Sequence, residues 1–221
     1  RVFDVFSSGC ALVFLSPILL YTAYLVKTRL GSPVLFTQIR PGKDGKLFRM
    51  YKFRSMTDER DAEGNLLPDD VRLTEFGKKL RATSADELPE LINIFKGDMS
   101  VVGPRPQLVR DMVFFTEEEM KRQRVYPGLT GLAQICGRNN ITWKEKFAFD
   151  LQYVKDINFF EDMRIIFRTV FKVSAQEDIA TDGMETAEDY GDWLLRTGQI
   201  QKEEYDKKQA EAKKMLDEFE G

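Results

Sequence analysis

An α+β fold, mainly helical, is predicted by three features of the sequence. Residues 5–26 form a charge-free apolar run broken by a single Ser-Pro step, residues 34–56 show the alternation and turn chemistry of a β-hairpin, and most later segments space their apolar side chains as helices do. These features divide the chain into an apolar membrane segment (1–28), a globular domain (29–180) and an acidic C-terminal extension (181–221).

The 221 residues are enough for one domain with a substantial core, and 43% hydrophobic with 31% charged residues is a globular composition. Two cysteines, Cys10 and Cys136, cannot make a disulfide framework, which points to a reducing compartment. The chain has no histidine, so every mechanism built on an imidazole base is excluded, and the usual zinc sites are hard to build. Carboxylate, lysine, tyrosine or metal chemistry remains. The net charge of -3 hides a gradient: residues 27–54 hold eight Lys/Arg against the single acid Asp44, while residues 176–221 hold fourteen acids against six bases. A basic cluster directly after an apolar segment is drawn to anionic lipid, at about 1 kcal/mol per well-placed charge, and equally to phosphate substrates. An ordinary solvated surface has the same composition.

The apolar run comes first along the chain. Its twenty-two residues, with Arg1 and Asp4 before them and Lys27 and Arg29 after, are just long enough to cross a hydrocarbon core of about 30 Å. Ser16-Pro17 in its middle opposes simple spanning, because proline removes a backbone donor and crowds the carbonyl four residues back. The Ser16 hydroxyl can satisfy the freed carbonyl, which allows the segment to enter one leaflet and return, although proline-kinked helices also span membranes. The basic residues after it place the globular part on the cytoplasmic side.

Residues 34–39 and 46–56 read as the two arms of the hairpin, joined by turn formers from Arg40 to Gly45. Period-two geometry puts Phe48, Met50, Lys52 and Arg54 on one face, so Lys52 and Arg54 point together; a cation-guarded strand edge has the same pattern. Residues 58–70 read as a loop, and 71–81, 84–95, 107–124 and 144–172 as helices. In the last of these, large residues such as Phe149, Phe159, Phe160, Phe167 and Phe171 cover too much of the circumference for one core-facing stripe. That helix is therefore either buried or an amphipathic interfacial element. Residues 202–220 alternate charges as a solvated helix does.

Asp86-Glu87 is the pair with chemical potential. Ser84 with Glu87 fits a capping box, which needs no function; a helix starting near Leu88 instead leaves both carboxylates just before a positive helix end. An ionised carboxylate there can attack phosphorus if fixed cations offset the repulsion, and the sequence supplies Lys52, Arg54, Arg81, Arg105 and Arg138. Arg105 lies in Gly103-Pro104-Arg105-Pro106, a stiff presentation of one guanidinium whose fork suits phosphate. A bound Mg²⁺ would match hard oxygen ligands.

Five motifs in order then mark a resemblance: Ser16-Pro17, FTQIRPG (36–42), YKFRSM (51–56), SADELPELINIFKGDMSVVGPRP (84–106) and PGLTGLAQICGRN (127–139). Over about residues 1–175 the chain resembles the small monotopic phosphoglycosyl transferases of the bacterial sugar transferase family, most of all the PglC-type enzymes. The resemblance implies a re-entrant helix broken at Ser16-Pro17, seated on the cytoplasmic face of a bacterial inner membrane, and a catalytic dyad of Asp86 and Glu87. Asp86 would attack the β-phosphate of a UDP-sugar, expel UMP and form a covalent intermediate, from which polyprenyl (undecaprenyl) phosphate takes the sugar phosphate. Mg²⁺ is the implied cofactor, held at Asp86 and Glu87, with Lys52, Arg81, Arg105 and Asp150 around the site. No nucleic-acid partner is expected, and a homo-oligomer is among the assemblies allowed. The acidic segment after about residue 182 has no counterpart in the resemblance. The alternative from another class is a membrane-anchored scaffold or lipid-headgroup-binding protein in which Asp86-Glu87 only caps a helix.

Overall fold

The computed structural model describes residues 1–137, 141–175 and 188–221. The apolar run forms two helices, α1 (Val2–Phe14) and α2 (Ser16–Leu30), bent by 64° about Leu15. Pro17 has no N–H for the Val13 carbonyl, and the Ser16 hydroxyl donates to that oxygen instead at 2.7 Å, so the bend leaves it satisfied. Among the described residues no single helix is long and apolar enough to cross a membrane, whereas the bent pair meets that test together. The start of α1 is tied to the rest of the molecule: Arg1 donates to the Ile94 and Met99 carbonyls at 3.0 Å each, and buried Asp4 accepts from Ser100 Oγ at 2.8 Å and Val101 N–H at 3.1 Å.

The hairpin is present as β1 (Leu35–Pro41) and β2 (Leu47–Phe53), antiparallel with Phe36 opposite Lys52 and Arg40 opposite Phe48. Phe48 and Met50 pack on Leu91, Ile94 and Met99, so the face that they share with Lys52 turns inward. The helix expected over 71–81 is two pieces, α3 (Asp69–Arg72) and α4 (Glu75–Ala82), because the Thr74 side chain accepts from Gly77 N–H and starts a new helix. Gly77 is required there by space: a Cβ on it would stand 1.9 Å from the Ser55 carbonyl oxygen.

The segment 84–95 is also divided, into a 3₁₀ turn at Ala85–Glu87 and α5 (Glu90–Lys96), with Pro89 at the N-cap. Ser84 makes no side-chain cap, so the capping box with Glu87 is not formed. Buried Asn93 fixes α5 to β2, accepting from Tyr51 N–H at 3.0 Å and donating to the Arg49 carbonyl at 2.7 Å. After β3 (Ser100–Val102), the helix expected over 107–124 appears as α6 (Val109–Met112), α7 (Glu117–Met120) and a 3₁₀ turn, since Thr116 and Glu119 form a capping box that restarts the chain. Then β4 (Gly128–Thr130) pairs parallel with β3, and α8 (Leu132–Cys136) follows.

The segment 144–172 is α9 (Trp143–Lys155) and α10 (Phe159–Ala175), parted where Asn158 Oδ1 accepts from Glu161 N–H at 2.9 Å. On α10, Ile165 is buried against Val102, Leu132 and Tyr153. Phe160 and Phe167 on the same helix are 83% and 72% exposed, so a buried core helix describes only one of its faces. Phe3 meets Phe159 edge to face at 6.0 Å, which joins the exposed side of α10 to the exposed apolar side of α1. Finally α11 (Tyr190–Arg196) and α12 (Lys202–Glu220) dock on the domain: Tyr190, Leu194 and Ala212 share one buried cluster with Val109, Phe114, Trp143 and Phe147. Residues 188–221 thus complete this core, and the boundary expected at 180/181 lies outside the described residues.

Candidate active site

A cavity of about 1210 Å³ opens between the hairpin, the 3₁₀ turn at Ala85–Glu87, the Gly103–Pro106 segment and the inner side of α10. That exceeds the roughly 300–1,000 Å³ of an ordinary small-molecule cleft and leaves room for a nucleotide sugar. Asp86 lies in its wall, 8% exposed, and accepts no hydrogen bond from any described residue. Ser84, two residues before it, is held at φ 54°, a left-handed conformation that a non-glycine residue adopts at some cost.

Glu87 is where the cations converge. Lys52 Nζ is 2.8 Å and Arg105 Nη2 2.6 Å from the same oxygen, Oε1. Lys52 Nζ is also 3.2 Å from Glu90 Oε1, an ion-pair distance without hydrogen-bond alignment. Arg81 lines the cavity and donates from Nε to Ser55 Oγ at 3.0 Å. Three of the expected cations therefore surround the carboxylate pair. Arg54 also lines the cavity, but its guanidinium is committed to the carbonyls of Ser32 at 2.8 Å and Met56 at 3.1 Å and to the Asp58 carboxylate, so it holds the chain between α2 and β1. Asp150 is buried and accepts Arg122 Nε at 2.9 Å and Nη2 at 2.7 Å; Arg122 Nη2 also donates to the Arg105 carbonyl at 2.6 Å. Asp150 thus reaches the site through Arg122. Arg138 lies outside the described residues.

The carboxyls separate electrostatically. Burial pushes Asp86 up to about 6, helped by the charge of Glu87 and opposed by Lys52, Arg81 and Arg105. Burial would raise Glu87 as well, but Arg105 and then Lys52 outweigh it and hold that carboxyl well below the usual carboxylate range. Glu90, fully buried one turn on, is pushed up to about 7, chiefly by desolvation and against the pull of Lys52. The result is one locked anion, Glu87, beside one carboxylate, Asp86, that has no hydrogen-bond donor among the described residues. Two adjacent carboxyls with such different environments are what a nucleophile and the group that positions its cations require.

Glu90 yields a stability prediction. Its folded value of about 7 lies above the reference 4.5, so the fold favours the protonated form; that contribution is complete below pH 4.5 and is lost as pH rises through about 7. Glu90→Gln is therefore expected to raise stability at pH 8 by about 2–3 kcal/mol and to change little below pH 4.5. Urea unfolding at the two pH values measures this, and a variant less stable than the parent at pH 8 would contradict it.

Sequence patterns missed Glu90, Arg122 and Asn93. Glu90 had a signal, as the third acid of the D-E-L-P-E run; Arg122 had none, since its partner is twenty-eight residues away. Among the described residues no group of three His, Cys, Asp or Glu side chains is placed to hold a metal. The donors of Asp86 and Glu87 are hard oxygens, which fit a Mg²⁺ shared with phosphate oxygens and water and do not make a site closed by protein alone.

The family model for bacterial sugar transferases matches residues 1–176. The uncharacterised sugar transferase EpsL of Bacillus subtilis is 50% identical over 188 residues, covering 85% of this chain and 93% of that protein. The UDP-glucose:undecaprenyl-phosphate glucose-1-phosphate transferase of Klebsiella pneumoniae is 42% identical over 185 residues, 78% of this chain and 39% of the other. The undecaprenyl-phosphate galactose phosphotransferase of Salmonella typhimurium is 37% identical over 195 residues, 80% and 40% respectively. The chain thus spans about two-fifths of the length of these two relatives, whose names state a reaction.

Proposed function

Because the chain belongs to the bacterial sugar transferase family and is a phosphoglycosyl transferase, we propose that it moves a sugar 1-phosphate from a UDP-sugar to polyprenyl (undecaprenyl) phosphate, with Asp86 as nucleophile, as the first membrane step in building a glycan. The observation that carries this reading is the Asp86 carboxylate, without a hydrogen-bond or ion-pair partner among the described residues, beside a glutamate already occupied by Lys52 and Arg105.

An Asp86 oxygen attacks the β-phosphorus of the donor. The new O–P bond replaces the bond to the bridging oxygen, which leaves with UMP. An oxygen of the lipid phosphate then attacks the same phosphorus, the Asp86–phosphorus bond breaks, and a polyprenyl diphosphate sugar departs with the carboxylate regenerated. Lys52 and Arg105, held in register by Glu87, meet the charge that builds on the phosphoryl oxygens. Asp86 and Glu87 would hold Mg²⁺, which supplies further neutralisation of the diphosphate.

The apolar surfaces support a monotopic seat in the cytoplasmic face of a bacterial inner membrane. The bent α1–α2 pair would enter one leaflet and return, while Phe160, Phe167 and Phe171 of α10 would lie in the interface. Sided labelling tests this seat, since an N-terminus on the periplasmic side would make the segment a spanning one. Incubation of the full chain with UDP-glucose, UDP-galactose or N-acetylated UDP-sugars, Mg²⁺ and undecaprenyl phosphate tests the reaction. UMP is the expected product, and its absence with every sugar would favour the non-catalytic scaffold.

A further inference from the structure

Among the cations in the cavity wall that this chemistry does not use are Arg40 and Lys146. Arg40, on β1, is partly buried; among the described residues it uses two of its five N–H donors, Nη1 to the Pro106 carbonyl at 3.3 Å and Nη2 to Gln38 Oε1 at 2.6 Å, and its buried Nε–H finds no acceptor. Lys146, on α9, also lines the cavity, with Nζ 4.6 Å over the Trp143 ring. Among the described residues neither has a carboxylate within 4.0 Å. Carboxylates act on them from farther off: Asp111 on both, Glu90 and Glu87 on Arg40, and Asp150 on Lys146; Asp111 is buried and accepts from Tyr190 N–H at 2.8 Å.

The two are placed by the same loop. Arg122 holds the carbonyl of Arg105 and Arg40 holds that of Pro106, so the segment carrying the Arg105 guanidinium is gripped at two successive carbonyls. Lys146 lies one turn before Asp150 on α9 and so faces the loop that Asp150 supports through Arg122. The charge of Arg105 acts on both Arg40 and Lys146, as it does on Asp86. Burial and that like charge depress both cations, Arg40 to about 10. Even so, Arg40 remains protonated at neutral pH. Arg40, Lys146 and Arg105 thus border one arm of the cavity, and among the described residues Arg105 alone of the three has an ion-pair partner, so an anion entering this arm would meet two cations not yet neutralised at close range.

We propose that Arg40 and Lys146 form a second phosphate-binding subsite next to Arg105, which holds the phosphate that Asp86 does not attack. This rests on the transfer reaction proposed above, in which two phosphate esters need such a place: the nucleoside monophosphate leaving from the donor and the phosphate monoester of the lipid acceptor. The fork of Arg40 suits either one.

The test uses the detergent-solubilised full chain with Arg40→Gln and Lys146→Gln, and measures affinity for UMP and for uridine together with the KM for undecaprenyl phosphate. Each variant is expected to bind UMP about tenfold more weakly, with uridine affinity unchanged. Weakened UMP binding with an unchanged acceptor KM assigns the subsite to the donor's leaving phosphate. A tenfold higher acceptor KM with unchanged UMP binding assigns it to the lipid phosphate. Unchanged values in both arms overturn the subsite while UMP release by the parent keeps the proposed function intact. Equal weakening of uridine and UMP also overturns it. A parent that neither binds nor releases UMP sinks both readings. Arg40→Gln removes the bond to Pro106 and can unfold the loop, so Lys146→Gln by itself is enough to separate these outcomes.

Discussion

Replacing Asp86 by Asn is expected to abolish UMP release and to give a protein more stable than its parent at pH 8. The amide matches the carboxylate in shape but is no nucleophile, and a loss of about 10³-fold or more is expected when a covalent mechanism loses its attacking atom. The gain in stability comes from the same burial that tunes the site. The folded carboxyl titrates near 6 against a reference of 3.8, so the fold prefers the protonated acid; this contribution is complete below 3.8 and is lost as pH rises through about 6. Above that, the ionised parent is penalised by about 2–3 kcal/mol, which the neutral amide avoids. Function here is bought with stability, as is usual for a buried nucleophile. UMP release and urea midpoints at pH 5 and 8 measure both effects. Release at the parental rate would remove Asp86 from the mechanism, and a variant less stable at pH 8 would refute the electrostatic account. In the parent, release is expected to fall about tenfold per pH unit below about 6, because only the ionised carboxylate attacks.

Asp150→Ala is expected to cost about 3–5 kcal/mol, a large part of the roughly 5–15 kcal/mol that stabilises a domain. The Arg122 side chain is only 2% exposed, and Asp150 accepts both its Nε and its Nη2; removing the carboxylate strands a guanidinium in the interior. The double variant Arg122→Met with Asp150→Leu is expected to recover most of that stability, since well-packed apolar pairs commonly replace buried ion pairs at little cost. It is not expected to recover activity. The Arg105 carbonyl then loses the 2.6 Å bond from Arg122, the guanidinium at Glu87 is less firmly placed, and UMP release is expected to stay at least about tenfold down. Denaturant unfolding and the release assay together decide between the roles. A single variant that loses under about 1 kcal/mol would make the pair unimportant to folding. A double variant with the parental rate would show that Arg122 does not position Arg105.

What could be read along the chain was whatever a few neighbouring residues decide. Ser16-Pro17 specifies a break and the hydroxyl that repairs it, because both effects act within one helical turn. The turn formers between residues 40 and 45 and the alternation on either side specify a hairpin for the same reason. Asp86, Glu87, Lys52 and Arg105 could be named as candidates from type and setting. The helix ends were less legible, since Thr74, Thr116 and Asn158 each accept a backbone N–H that periodicity does not register.

The pairing of charges belonged to the tertiary structure alone. That Lys52 and Arg105 share one oxygen of Glu87, that Arg54 is used up on carbonyls and Asp58, and that Asp150 reaches the site through Arg122 are distances between residues 17 to 35 apart in the chain or at its local turns. The docking of residues 188–221 onto Trp143 and Phe147 is of the same kind. Sequence determined which chemical groups were available and where the backbone turns, because those effects are local. Only packing decided which charges meet and which are left without a partner, because Coulomb energy and desolvation depend on separation and burial in space.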